Sequence, residues 1–307
     1  MNRKFGKCGG GSHILPSAPL TFPVKVHKSR IIFKGVLHIF TYSGGVKDCA
    51  VKTIRAAILI LLFLSIANAW AGPPFITDDP EPVEPQHWEV YLASESVRNA
   101  AGVSGTLPHV EINYGAAKDL QLHLILPYAW NEPSGGHTTR GYGDTELGVK
   151  YRFVQENAIT PMVGVFPLIE IPTGDASAGL GSGRLSAFLP VWIQKSWGDW
   201  TSYGGGGYFI NPGIGNRDYW LVGWEVQKDL NSKLTLGGEL LGNTQSAISE
   251  RGEIGINLGG QYNFDSGHHL LFSAGKSLHG DIGFMSYVAF QWTFGPPDVE
   301  NRNQPKR

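Results

Sequence analysis

DTELGVKYRF, residues 144–153, divides by parity: Asp144, Glu146, Gly148, Lys150 and Arg152 alternate with Thr145, Leu147, Val149, Tyr151 and Phe153. A strand sends successive side chains to opposite faces, whereas a helix would scatter both sets around its circumference. One face of this segment is therefore charged and the other apolar. The split returns in residues 253–264, where Glu253, Gly255, Asn257, Gly259, Gln261 and Asn263 oppose Ile254, Ile256, Leu258, Gly260, Tyr262 and Phe264. It returns again in 88–95, 109–114 and 120–126.

Twelve such segments follow one another, at 87–97, 106–115, 119–129, 142–153, 159–171, 185–196, 200–209, 219–227, 233–242, 253–264, 268–275 and 282–294. Each is near the ~9–11 residues with which a tilted strand crosses a bilayer. Links from even to odd segments are tight (116–118, 154–158, 197–199, 228–232, 265–267), and several from odd to even are longer (130–141, 172–184, 243–252). Short turns at one end and long loops at the other predict an all-β fold, an antiparallel up-and-down transmembrane β-barrel of about twelve strands, with both termini periplasmic. A soluble β-sandwich also alternates apolar and polar residues. Against it, the polar parity is crowded with ionisable groups and glycine, as a lumen requires. Aromatic residues also gather near segment ends (Trp88, Tyr128, Trp130, Tyr151, Phe153, Trp220, Trp224, Tyr262, Phe264, Trp292, Phe294), like interfacial girdles. On the last segment Phe290, Trp292 and Phe294 share one parity and resemble the C-terminal signal read by the barrel-insertion machinery, although a polar tail, 295–307, follows.

Composition points the same way. The 307 residues include 41 Gly, 15 Phe, 11 Tyr and 9 Trp but three Met and two Cys, unlike an ordinary helical enzyme. No cysteine follows Cys49, which excludes zinc ribbons and thiol chemistry from the remainder. Residues 1–50 hold eight Lys/Arg and one acid, whereas residues 72–307 hold 15 Lys/Arg and 25 acids. A body with that acidic excess is a poor partner for nucleic acid. Residues 51–71, VKTIRAAILILLFLSIANAWA, have the basic start (Lys52, Arg55), apolar core and A-x-A spacing of a signal peptide, cleaved after Ala69 or Ala71. Residues 1–50, upstream of such a leader, read as a mis-assigned extension with no part in the fold. The exported chain has no apolar run of ~18 residues, so its route into the bacterial outer membrane is through strands. Residues 72–86 form a stiff acidic lead-in, with Pro80, Pro82 and Pro85 among Asp78, Asp79, Glu81 and Glu84, that either inserts into the periplasmic mouth or hangs below it.

Residues 72–83 (GPPFITDDPEPV), 87–89 (HWE), 141–151 (GYGDTELGVKY) and 170–175 (EIPTGD) resemble the outer-membrane transporter family labelled for the meta-cleavage pathway of phenol degradation, over nearly all of 72–294. The resemblance implies passage of small organic molecules and assigns no catalytic residue.

The polar parities collect Glu89, His109, Glu111, His123, Asp144, Glu146, Lys150, Arg152, Glu170, Glu225 and Glu239 as lumen-lining and binding candidates. Buried charge must be paired or hydrated, so these groups form either a salt-bridged plug or a wet path, with Lys150 and Arg152 paired to nearby acids. Twelve strands enclose more than the eight-stranded barrel that side chains just fill, and less than a porin. Bulky Tyr91, Arg152 and Tyr287 should constrict that space. The expectation is a narrow or gated, mildly cation-preferring path for passive uptake of small organic, including aromatic, solutes. Its partners are outer-membrane lipid, the insertion machinery and the solute; no cofactor, metal or reaction is implied.

Two other readings stay open. A lipid hydrolase would use Ser273 with a histidine, but Ser273 and His269 lie about 13 Å apart on one strand, so another strand would have to supply the base. His268 and His269, beside a turn, read as interfacial. The third reading is a non-conducting structural barrel. GLGSGR, 179–184, lacks the Lys-Ser/Thr of a phosphate loop and reads as a flexible extracellular loop. Gly204–Gly207 reads as a bend in the wall or a close approach of a neighbour.

Overall fold

The computed structural model describes residues 74–297. The expected extension, signal peptide and most of the polar tail lie outside them. The strands are β1 (Trp88–Asn99), β2 (Gly102–Ala117), β3 (Leu120–Pro133), β4 (Thr139–Tyr142), β5 (Thr145–Val154), β6 (Met162–Val165) and β7 (Leu168–Ile171). The second half adds β8 (Ser186–Trp197), β9 (Trp200–Ile210), β10 (Tyr219–Asn231), β11 (Leu234–Asn243), β12 (Glu253–Asn263), β13 (His268–His279) and β14 (Ile282–Phe294). Every pairing between them is antiparallel, and β1 pairs with β14 from Trp88↔Phe294 to Asn99↔Ile282, which closes the sheet.

The fourteen strands make twelve staves. β4 and β5 both pair with β3, as the upper and lower parts of one stave interrupted at Gly143-Asp144. β6 and β7 likewise share the space between β5 and β8, interrupted at Phe166-Pro167, where proline has no N–H for the ladder. β1 and β2 run farther than the alternation indicates and meet in the tight turn Asn99–Gly102.

Parity governs exposure. On β5, Gly148 and Lys150 are buried while Leu147 and Val149 are exposed, and Leu122, Leu189, Val191, Leu240, Leu258 and Val288 on other staves are exposed in the same sense. In water so large an apolar belt would be untenable; in a bilayer it is the lipid-facing band of an outer-membrane barrel. Phe290, Trp292 and Phe294 lie on this outer parity. The glycine run in β9 does bring neighbours close: a Cβ on Gly204 would stand 2.4 Å from the Trp224 ring, and one on Gly205 2.1 Å from the Val191 carbonyl.

The extracellular loop 172–184 is pinned rather than flexible. Asp144 accepts from the N–H groups of Gly174 (2.9 Å) and Ser182 (2.6 Å), Thr139 Oγ1 donates to the Ala178 carbonyl (2.7 Å), and Leu180 is buried. Asp175 caps a 3-10 turn, Ala176–Ala178, and the hydrogen bonds from Ser177 hold its carboxyl below the usual carboxylate range.

Candidate functional site

The lead-in is inside the barrel. Proline-rich and extended, it starts from the short-turn end, where Gln86 N–H donates to the Gly115 carbonyl at 2.7 Å. It then climbs between the walls, so that Thr77 and Asp79 reach 0 % exposure. Its grip on the wall is polar. Lys150 Nζ lies 3.0 Å from Asp78 Oδ1 and 3.7 Å from Asp79 Oδ1; Arg152 lies 3.7 Å from Glu81 and makes a two-pronged pair with Asp119 of the β2–β3 turn (2.7 and 2.8 Å). Val83 N–H donates to Gln121 (2.9 Å), Thr77 N–H to Glu239, and Ser273 Oγ to the Pro74 carbonyl (2.6 Å). Burial pushes the carboxyls of Asp79 and Glu81 upward, with Lys150 and Arg152 respectively opposing the rise. Two wall glycines make room: a Cβ on Gly223 would meet Thr77 Oγ1 at 1.9 Å, and one on Gly164 would meet Pro80 Cβ at 3.0 Å.

These contacts settle the position of several predicted residues. Lys150 and Arg152 are inward and paired, but most of their acids come from the lead-in rather than from neighbouring staves. Glu225 and Glu239, directly opposite each other on β10 and β11, are fully buried against the lead-in tip. Glu239 accepts from Thr77 N–H and from Asn257 Nδ2 (2.7 Å). Asp144 stands in the β4–β5 break and is occupied with the loop above, so it is a structural clasp. Ser273 is committed to the lead-in, and His269 is inward and within hydrogen-bond distance of Asn263 (2.7 Å), not interfacial. His268 does sit at the turn, 2.8 Å from Asp265.

Beside the lead-in a cavity of about 840 Å3 opens at the periplasmic mouth, lined among others by Asp78, Glu84, Glu89, Gln121 and Gln261. Glu89 accepts from Tyr91 OH at 2.7 Å. Above the lead-in the other candidates form a chain on β1, β2, β3, β5 and β7. His109 Nδ1 is 3.3 Å from Thr106 Oγ1 and 3.8 Å from Glu95. His123 places Nδ1 2.6 Å from Asn113 Oδ1 and Nε2 3.0 Å from Glu146, while Asn113 Nδ2 donates to Glu111 (2.8 Å). Both His123 nitrogens thus face acceptors. Glu170, opposite Glu146, accepts from Ser186 Oγ at 2.6 Å.

An apolar side of the same lumen is absent from the predicted set. Phe188, Phe209 and Tyr219 stand level on β8, β9 and β10 in a stacked row, with centroids 5.6 and 4.9 Å apart. Phe166 and Trp192 pack beside them, and Phe166 meets the His123 ring edge-on at 5.1 Å. The only sequence trace is the parity carried back from Gln194, because on β8 both parities are bulky: Phe188 and Trp192 inside, Leu189, Val191 and Ile193 outside. The lumen is therefore two-sided, acids and imidazoles facing an aromatic wall, with the lead-in as its floor.

No protein of curated function matches the chain. An outer-membrane channel from Pseudomonas putida F1 superposes with a TM-score of 0.59 at 16% identity, over 73% of this chain and 100% of that one, and shares the barrel fold. The porin KdgM superposes at 0.48 and 12% identity, over 67% and 99%. The family model described as "Putative MetA-pathway of phenol degradation" matches residues 104–287. The chain belongs to that family, and within it is a closed twelve-stave outer-membrane barrel.

Proposed function

We propose that this barrel is a gated channel for passive uptake of small organic solutes, open when the lead-in leaves the lumen. The observation that carries the reading is the nature of the floor. It is a segment outside the sheet held by ion pairs and single hydrogen bonds, whereas a barrel built only for structure needs no more than side chains meeting across its axis. Gly223 and Gly164 are fitted to a segment whose one backbone bridge to the wall among the described residues, Pro85↔Gly115, is at its root. The partly exposed rings of Phe209 and Tyr219 supply an apolar surface for the carbon skeleton of a solute, and small aromatic solutes agree with the family's association with phenol breakdown. Glu95, Glu111, Glu146 and Glu170 above the floor favour cations over anions.

Planar-bilayer recording and liposome swelling, with and without residues 74–86, test this. The expected result is small or rare current in the intact chain and a larger, cation-preferring current after truncation, with Phe209→Leu slowing aromatic solutes more than aliphatic ones of equal size. Absence of both current and swelling in the truncated barrel, or anion preference, would refute it.

A further inference from the structure

We propose that docking of the lead-in takes up a proton, held by Glu225, so that the barrel's floor is a pH-sensitive latch that loosens as the pH rises. This rests on the reading that the lead-in can leave the lumen, but not on whether current then flows.

The argument is a charge count at the lead-in tip. Glu225 is 0 % exposed and neither carboxyl oxygen has a hydrogen-bond partner among the described residues. The titratable groups that face it come from every surface packed around it: Asp79 of the lead-in, Glu239 on β11 and Tyr203 on β9, with Lys150 and Asp78 beside Asp79. Lys150 is engaged by Asp78 and Asp79. Glu239 accepts from Thr77 N–H on one oxygen and from Asn257 Nδ2 on the other. Glu225 has neither cation nor donor. Its cross-strand neighbour Tyr203 is equally buried and its hydroxyl equally unpartnered, so no nearby group offsets a charge there.

An ionised carboxylate in that setting would be unpaired, desolvated and beside two other acids, the arrangement a protein avoids by binding a proton. Withdrawal of the lead-in removes Asp78, Asp79 and Thr77 from this wall and lets water reach Glu225, which then ionises as an ordinary glutamate does. The docked state therefore holds one more proton than the undocked state. By linkage, docking is favoured at low pH and weakens with rising pH, by up to about tenfold per unit for a single proton.

A nitroxide at Ile76, which is 47% exposed and so accommodates a label without displacing the tip, reports docking in liposomes by its mobility. The chain begins at residue 72 and keeps its lead-in. The mobile fraction should rise with pH in the otherwise unaltered barrel. In Glu225→Gln, which is neutral at every pH, it should stay low and flat, while Glu239→Gln should keep the pH slope. A flat profile in the unaltered barrel, or a slope that survives Glu225→Gln, would overturn the proposal. If the slope disappears in Asp79→Asn instead, the proton belongs to the lead-in and the assignment to Glu225 fails. Because the spectrum needs no current, a non-conducting barrel with the predicted slope would refute the channel and leave the latch standing.

Discussion

Replacing Lys150 by methionine keeps the length of the side chain and removes the cation that pairs with Asp78 and Asp79. The ammonium is 5% exposed, 3.0 Å from Asp78 and 3.7 Å from Asp79, and Asp79 has no exposed surface at all. Removing one partner of a buried pair costs about 3–5 kcal/mol because the other is left uncompensated. Two features lower the figure here. Asp78 keeps 23% exposure, and Asp79 still accepts the Glu81 N–H at 2.6 Å, so the lower end, about 3 kcal/mol, is expected. That is a shift of roughly 10²-fold in the docking equilibrium. It should appear as more frequent openings in bilayer recordings and as faster proteolysis of the lead-in. The control is the same substitution in a barrel lacking residues 74–86, where the acids it served are gone. An unchanged opening frequency in Lys150→Met would refute the reasoning, as would an equal increase in the truncated barrel, which would mean that Lys150 acts on the wall.

The wall itself is tested in the barrel lacking residues 74–86, where Lys150 has lost its partners: Val149→Arg puts a charge on the lipid face and should cost ~2–4 kcal/mol of barrel stability near the midplane, whereas Lys150→Gln should cost clearly less. Denaturant titration of both in lipid decides, and equal losses would overturn the inside/outside assignment. Gly223→Ala puts a methyl group where Thr77 Oγ1 stands, so it should expel the tip and raise conductance while leaving the unfolding midpoint of the truncated barrel within error of its parent. Processing is tested by N-terminal sequencing of the protein from outer membranes: the expected start is near Gly72, and a start at Met1 or Val51 would refute the leader reading.

What could be read in the sequence follows from where polarity changes sign. Leu147, Val149 and Tyr151 against Glu146, Lys150 and Arg152 announce a stave and its orientation, because lipid and lumen demand opposite chemistry. Where lumen and lipid accept the same chemistry the signal vanishes, as on β8, and the aromatic row of Phe188, Phe209 and Tyr219 becomes visible only once register places three strands level. Asp144 is lost for another reason: the stave breaks at Gly143-Asp144, and parity counted through a break assigns a clasp to the lumen. The lead-in is the instructive case. Its acids and the inward cations Lys150 and Arg152 are both plain in the sequence, but Thr77 and Glu239 are 162 residues apart and meet only because the barrel closes around the lead-in. Charge complementarity between an acidic tail end and a basic pair therefore does not by itself predict docking. It does so only together with a lumen too wide for its own side chains, and the twelve staves supply that condition.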